Sequence, residues 1–337
     1  MNKFLTALLV AGTAFGLGSQ ASADSLDKPG SLLLFPYFDN SRGQATFLTV
    51  TNSNSDFNQA GQLFAGTVDV EFVYINGEDC LEFNRTRRLT PNDTITVNTL
   101  LDNPNTPRGY VYVFAKSPTT GAAISWNWLI GISQVTSGVM NLDVSGVLDV
   151  NPYVFKAIGA QGAETDANAD GLRNLDGVEY EAAPDQILVP RFLGQSSMAK
   201  PGVSYSAYSH LVLINLTGAA NFRAVVDFLI YNDNEEVFSA QYDFECWKKV
   251  ELERINGAFT QSFLQTTNHN PLESINGTET GWFRMNGRLA YSSADTVQDP
   301  AILSALFEEY HSLTGELPFT SGTQTNGELV SLSIFHD

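Results

Sequence analysis

An internal repeat is the feature of this sequence that most restricts its fold. The segment VDVEFVYING, residues 68–77, recurs as VVDFLIYND, residues 225–233. Each copy follows an apolar stretch that ends in Asn, namely TFLTVTN up to Asn52 and HLVLIN up to Asn215. Two copies of one pattern are expected to fold as two units with a common architecture. The sequence therefore predicts a diverged tandem duplication.

Three further features recur in the same order along the two copies. A Lys-Pro-Gly tripeptide precedes each copy, at residues 28–30 and 200–202. A cysteine follows each copy, at Cys80 and Cys246. A Gly-aromatic pair lies beyond each cysteine, at Gly109-Tyr110 and Gly281-Trp282. We accordingly expect the two cysteines to occupy corresponding positions in the two units.

The local pattern within each copy is that of β-strands. Runs rich in Val, Ile, Phe, Tyr and Thr are short and are bounded by Asn, Asp, Gly, Pro and Ser. In GYVYVFAK, residues 109–116, both faces are apolar, which is typical of a strand inside a stack of layers. The predicted fold is all-β, with two tandem antiparallel β-sandwich domains at residues 24–160 and 191–337 joined by an acidic linker at 161–190.

One segment has a pattern that favours a helix instead. Asp299 and Pro300 precede AILSALFEEYHSL, whose apolar residues follow helical spacing, and Gly315 lies beyond. An N-cap residue followed by Pro is a common start of a helix. This predicts a short helix near residues 300–312, whereas the repeat aligns the same segment with a strand of the first copy.

The first 23 residues have the pattern of a secretory signal peptide. Lys3 is followed by an apolar run from Phe4 to Leu17, and small residues end at Ala23. The run is too short and too rich in Gly for a stable membrane span, and no later run of about 18 apolar residues follows. We expect a mature chain that begins at Asp24, lacks a transmembrane span and is secreted to the periplasm, the cell surface or the medium.

The charge of the chain restricts its partners. The formal net charge is −19, which repels phosphate backbones and anionic membrane surfaces. Nucleic acid is therefore not an expected partner. The expected partner is an envelope or extracellular protein or a glycan. Cys80 and Cys246 are the only cysteines, so an exported chain allows one intramolecular disulfide. The alternative is two buried free thiols.

An acidic segment between the two copies, DANADGLRNLDG at residues 166–177, contains candidate metal ligands. It resembles the first half of the calcium loops of the EF-hand, dockerin and thrombospondin type 3 families. Asp166, Asn168 and Asp170 stand at loop positions one, three and five, and Gly171 stands at the sharp turn of position six.

The resemblance also implies ligands for the second half of the loop. It implies the carbonyl of Leu172 at position seven and Asn174 at position nine. Position twelve, which is acidic in those families, is Gly177, so Asp176 or Glu179 would have to complete the coordination of calcium. The other interpretation of the segment is a polar linker.

No local catalytic motif is found in the sequence. G-x-S-x-G, H-E-x-x-H, a Walker loop and G-x-G-x-x-G are all missing, and none of the four histidines lies within four residues of another. No spacing singles out a carboxylate pair of the kind that glycosidases use. The function predicted is non-catalytic, a structural or adhesive role at the cell envelope or outside the cell.

Tryptophan residues support an alternative function. Trp126 and Trp128 are predicted to share one face of a strand, with Trp247 and Trp282 elsewhere in the chain. Exposed aromatic rings stack on sugars in carbohydrate-binding sandwiches, whereas buried rings would only fill the core. The alternative is therefore a carbohydrate-binding module or a secreted enzyme that acts on glycans.

Overall fold

A computed structural model of the protein describes most of the chain. The described residues are 28–55, 63–137, 146–166, 168–194, 196–200, 203–218, 222–232, 236–267, 279–310 and 312–330. The predicted signal peptide lies outside the described residues. Among these residues the structure has 22 strands and three short helices, so the predicted all-β class is confirmed.

Domain 1 is a sandwich of two antiparallel sheets. Its outer sheet has the order β5-β2-β7-β8, with the bounds β2 Gln44–Asn52, β5 Thr94–Asn98, β7 Leu129–Ser137 and β8 Gly146–Val150. Its inner sheet has the order β4-β3-β6-β1-β9, with the bounds β1 Leu32–Asp39, β3 Val68–Asn76, β4 Glu82–Leu89, β6 Arg108–Lys116 and β9 Tyr153–Phe155. Helix α1, Thr99–Asp102, follows β5.

Domain 2 repeats this architecture. Its inner sheet has the order β16-β13-β19-β20, and β12 pairs with the first part of β13 on the same edge as β16. The bounds are β13 Val203–Asn215, β16 Trp247–Glu251, β19 Ile302–Tyr310 and β20 Ser312–Glu316. Its outer sheet has the order β15-β14-β17-β11-β21, with the bounds β11 Gln186–Leu193, β14 Arg223–Asn232, β15 Val237–Phe244, β17 Thr280–Tyr291 and β21 Phe319–Ser321. Smaller elements complete the domain, namely β12 Ser196–Lys200, β18 Thr296–Gln298, α2 Leu252–Ile255 and α3 Gln261–Thr267.

The strand order and the pairing register both show the duplication. Leu34 of β1 pairs with Tyr112 of β6, and Leu188 of β11 pairs with Arg284 of β17, each one residue before an irregularity in the ladder. The inner sheet of domain 1 therefore corresponds to the outer sheet of domain 2. Likewise, the outer sheet of domain 1 corresponds to the inner sheet of domain 2.

The Gly-aromatic pairs of the repeat have a steric cause. A Cβ atom on Gly109 would lie 1.9 Å from the carbonyl oxygen of Ile75, and one on Gly281 would lie 2.4 Å from that of Tyr231. The two glycines occupy equivalent places, Gly109 in the ladder between β3 and β6 and Gly281 in the ladder between β14 and β17. The close approach of two backbones leaves room only for glycine there.

The two domains share one apolar core between their inner sheets. The core contains Tyr112 and Phe114 from domain 1 and Ile214, Leu303 and Phe307 from domain 2. Each sandwich has a separate core on the other face of its inner sheet. The four sheets thus form a stack, and the inner sheets are apolar on both faces because both faces are covered.

The predicted helix near residues 300–312 is wrong, because β19 spans Ile302–Tyr310. Strand β19 lies between β13 and β20 in the inner sheet of domain 2. Leu303 and Phe307 face the interdomain core, while Ile302 and Leu306 face the core of domain 2. A strand that is buried on both faces carries adjacent apolar residues, and here their spacing imitates that of a helix.

The segment between the two sandwiches is packed against the shared core. Strand β10, Leu172–Leu175, pairs with β22, Gly327–Val330, near the end of the described chain. Leu175, Tyr180 and Ala183 are fully buried members of the interdomain core. The acidic segment therefore closes one side of the interface between the domains.

Candidate functional site

The first half of the predicted calcium loop brings its polar side chains together. Asp166 Oδ1 accepts a hydrogen bond from the Asp170 amide at 3.1 Å, and Asp166 Oδ2 accepts one from the Gly171 amide at 3.1 Å. The Asn168 side chain donates to Asp170 Oδ2 at 2.7 Å. Gly171 has a φ of 79°, so it forms the turn expected at position six.

A protein side chain already supplies a positive charge in this loop. Arg173 Nη2 lies 2.9 Å from Asp166 Oδ2, and the buried Arg173 guanidinium also lies over the Phe114 ring at 5.1 Å. Burial disfavours the ionised form of Asp170, but hydrogen bonds from Leu172, Asn168 and Asn174 and the charge of Arg173 together lower its pKa. The Asp170 carboxylate is thus stabilised as an anion by groups of the chain itself.

The second half of the loop directs its carboxylates toward local backbone. Asp176 Oδ1 accepts from the amides of Val178 at 2.8 Å and Glu179 at 3.0 Å. Glu179 Oε2 accepts from the Asn174 amide at 3.2 Å, and burial raises the Glu179 pKa. Within the described part of the chain, no group of three or more His, Cys, Asp or Glu side chains is arranged to hold a metal ion. Calcium binding here stays a prediction.

The predicted disulfide between Cys80 and Cys246 is confirmed, with the two Cα atoms 6.0 Å apart. The expectation that the two cysteines correspond in the repeat is wrong. Cys80 lies in the turn before β4, whereas Cys246 follows β15, which is the equivalent of β4. The disulfide joins positions that are not equivalent in the repeat, because the two sheets that face each other across the interface are not equivalent either.

Polar contacts beside the disulfide also cross the interface. Trp247 Nε1 donates to the carbonyl of Pro36 at 3.1 Å, and Tyr153 Oη donates to that of Ser304 at 2.5 Å. Lys249 Nζ lies 3.0 Å from Tyr37 Oη. Burial lowers the Lys249 pKa, so this ammonium is retained at a cost in solvation that its cation–π contact with the Tyr37 ring partly offsets.

The tryptophan residues do not form the predicted pair on one strand. Trp126 and Trp128 lie before β7, in the segment that crosses between the sheets of domain 1. Trp126 is buried and donates from Nε1 to Asn52 at 3.1 Å, whereas Trp128 is 41% exposed. Trp247 is buried in the interface. Trp282 stacks on Tyr231 with ring centroids 3.9 Å apart.

A groove of about 680 Å³ lies on the solvent side of the outer sheet of domain 2. Its polar lining includes Asp227, Gln241, Arg284 and Asn286, and Gln241 Nε2 donates to Asp227 Oδ1 at 2.8 Å. Asp227 is the one carboxylate among the described residues that line it. The sequence pattern did not single out these residues. The signal that could have indicated them is Asp227, a charged residue between the apolar residues of β14.

Comparisons with known proteins provide no family for this chain. No family model matches the sequence, and no curated protein matches it either. Among the residues that the structure describes, no helix is both long enough and apolar enough to cross a membrane.

Three solved structures have a low similarity to this chain. The crystal structure of Thermotoga maritima 1070 covers 43% of this chain and 97% of its own, at 10% identity and a TM-score of 0.25. The Cowpea mosaic virus top component, a naturally occurring empty particle, covers 98% and 100% at 10% identity and a TM-score of 0.18. Broad Bean Stain Virus covers 94% and 97% at 11% identity and a TM-score of 0.19. At these TM-scores we base no conclusion on the similarities.

Proposed function

We propose that the protein is exported and has a non-catalytic, structural or adhesive role at the cell envelope or outside the cell. The observation that carries the proposal is the Cys80–Cys246 disulfide, which joins the two sandwiches across their shared core. Structural disulfides persist in oxidising compartments, in agreement with the predicted signal peptide. A block of four packed sheets with a covalent link between its halves suits a role that requires a rigid shape.

Buried charged groups support a structural interpretation of the interior. Tyr74 and Arg87 both hydrogen-bond to the buried Asp102, and Lys116 pairs with the buried Glu71 between β3 and β6. Both clusters connect neighbouring elements and satisfy charges that would be costly to bury alone. Their charges thus have partners within the fold.

Mass spectrometry of the protein from its native cells tests the proposal. We expect a mature chain that begins at Asp24 and contains no alkylatable thiol before reduction. Ala23→Arg should block processing and keep the precursor mass, whereas Ser22→Ala should be processed normally because only the small residues on either side of it are read. A native protein that retains residues 1–23, or that has two free thiols, would contradict export.

Glycan binding is a second candidate, favoured by the groove on domain 2. Its amide, carboxylate and guanidinium groups can hydrogen-bond to sugar hydroxyls, and the stacked Tyr231 and Trp282 lie on the same sheet face. A single carboxylate among the described lining residues does not provide the pair that a glycosidase needs. The candidate is therefore binding without hydrolysis.

Calorimetric titration with a panel of soluble oligosaccharides tests this candidate. Asp227→Ala should weaken any binding in the groove at least about tenfold, the loss expected for a hydrogen bond to a charged group. Gln134→Ala, on the outer sheet of domain 1, is the matched control and should have no effect. If no oligosaccharide binds the wild type, this candidate is excluded for the sugars tested.

A further inference from the structure

The contact between the two domains joins faces that do not correspond in the repeat. The inner sheet of domain 1 is equivalent to the outer sheet of domain 2, yet it packs on the inner sheet of domain 2. Such a contact is heterologous, because each unit uses a different face. The two ends of the stack are the outer sheet of domain 1 and the outer sheet of domain 2. These two sheets are the equivalents of the two that meet in the contact, and their outer faces are open to solvent.

The open face of domain 2 is the equivalent of the face that the inner sheet of domain 1 buries in the interface. In domain 1, Tyr112 pairs with Leu34 and Val73, and all three lie in the interdomain core. The same ladder positions in domain 2 have Arg284 between Leu188 and Leu229. We call this surface the groove face, and define it by Leu188, Leu229, Tyr231, Trp282, Arg284 and Phe319.

The open face of domain 1 is the equivalent of the face that the inner sheet of domain 2 buries in the interface. In domain 2, Ile214 pairs with Leu303 and Trp247 within the interdomain core. The same ladder positions in domain 1 have Thr51 between Ile130 and Thr94. We call this surface the threonine face, and define it by Thr49, Thr51, Thr94, Thr96, Ile130 and Val147.

Both faces have partly exposed apolar side chains. On the groove face, Phe319 is 68% and Leu188 is 37% exposed, and on the threonine face Val147 is 50% and Ile130 is 42% exposed. The threonine hydroxyls satisfy one another, with Thr49 and Thr96 2.9 Å apart and Thr51 and Thr94 2.8 Å apart, so covering them leaves no hydroxyl without a partner. Asp149 flanks the threonine face, whereas the groove face has Arg284 with Asp227 beside it in the groove.

We propose that copies of this chain stack head to tail, with the groove face of one copy on the threonine face of the next. This association repeats between chains the contact that the fold already makes between its domains. A heterologous contact that does not close into a ring produces an open filament. The inference goes beyond the proposed function, because it does not depend on the compartment in which the protein is found.

Analytical ultracentrifugation of the mature chain over a range of concentrations tests the proposal. We expect the wild type to form species at successive multiples of the monomer mass as its concentration rises. Leu188→Asp and Ile130→Asp should each remain monomeric, because each places a charge in one of the two faces. Val178→Asp, an exposed position in the turn before Glu179, is the control and should associate like the wild type.

A mixture of the two face variants distinguishes head-to-tail stacking from its alternatives. Leu188→Asp keeps an intact threonine face and Ile130→Asp keeps an intact groove face, so the mixture should form a dimer and nothing larger. A symmetric dimer would instead persist in one of the single variants. Unchanged melting temperatures must show that both variants fold. A wild type that stays monomeric at all concentrations, or a groove face occupied by an oligosaccharide alone, would overturn the proposal.

Discussion

At the scale of single residues, calcium binding in the acidic loop requires the ion to compete with Arg173 for Asp166. Arg173 holds this carboxylate at 2.9 Å, so a calcium ion must displace an ion pair that the fold has already made. We expect any affinity to be weak, on the order of 10⁻⁴ to 10⁻³ M, as in extracellular calcium modules. Burial of the Arg173 side chain makes its displacement costly, because a buried charge without its partner is destabilising.

A thermal melt in calcium and in chelator measures this competition. If the ion binds only the folded state, it stabilises the wild type by about 1.4 kcal/mol at ten times Kd. Replacing Asp166 and Asp170 together with Ala should abolish the difference between calcium and chelator, although it should also lower stability in both. Asp149→Ala, an acidic position outside the loop, should keep the difference. A wild type that melts identically in both solutions would identify residues 166–179 as a structural loop only.

At the scale of elements, β19 contributes to two cores at once. Phe307 is buried in the interdomain core, with its ring 5.1 Å from that of Tyr37. Phe307→Ala should therefore reduce the free energy of unfolding by about 3–5 kcal/mol, the cost of a large cavity in a core. The matched control is Phe319→Ala, whose exposed ring should change stability by less than about 0.5 kcal/mol. Urea denaturation that gave similar small losses for both would contradict the position of β19 between the domains.

At the scale of the whole molecule, buried carboxyls and net charge act in the same direction with pH. Burial raises the pKa of Glu308 and of Glu328 above the ordinary value of 4.5. Between 4.5 and those raised values the folded state binds more protons than the unfolded state, so stability increases as the pH falls. Protonation also reduces the self-repulsion of a chain with a net charge of −19.

Denaturation at two pH values tests this expectation. The free energy of unfolding should be higher at about pH 4.5 than at about pH 7.5, because the stability that comes from a raised carboxyl pKa is lost as the pH rises through that pKa. Glu308→Gln should reduce this difference, because it removes one of the titrating groups. Glu236→Gln, an exposed position, should not change it. Greater stability at the higher pH would show that other titrating groups dominate.

The sequence alone determined the fold class and the duplication of this protein. Alternating apolar residues and turn residues specify strands locally, and the order of the repeated segments along the chain requires no tertiary information. The glycines at 109 and 281 were visible for the same reason, since the backbone contact that excludes a side chain recurs in both copies. The disulfide was predicted from two cysteines in a chain with a signal-peptide pattern, with two free thiols as the alternative that the structure excludes.

The tertiary structure alone decided how the two units meet. Residues 302–310 became a strand because two packed layers cover both of its faces, and local spacing cannot distinguish that situation from a helix. Cys80 and Cys246 pair from unlike positions because the inner sheet of domain 1 packs against a sheet of domain 2 that is not its equivalent. The choice of facing sheets depends on complementary surfaces brought together over long sequence separations, and these surfaces exist only once both sandwiches have folded.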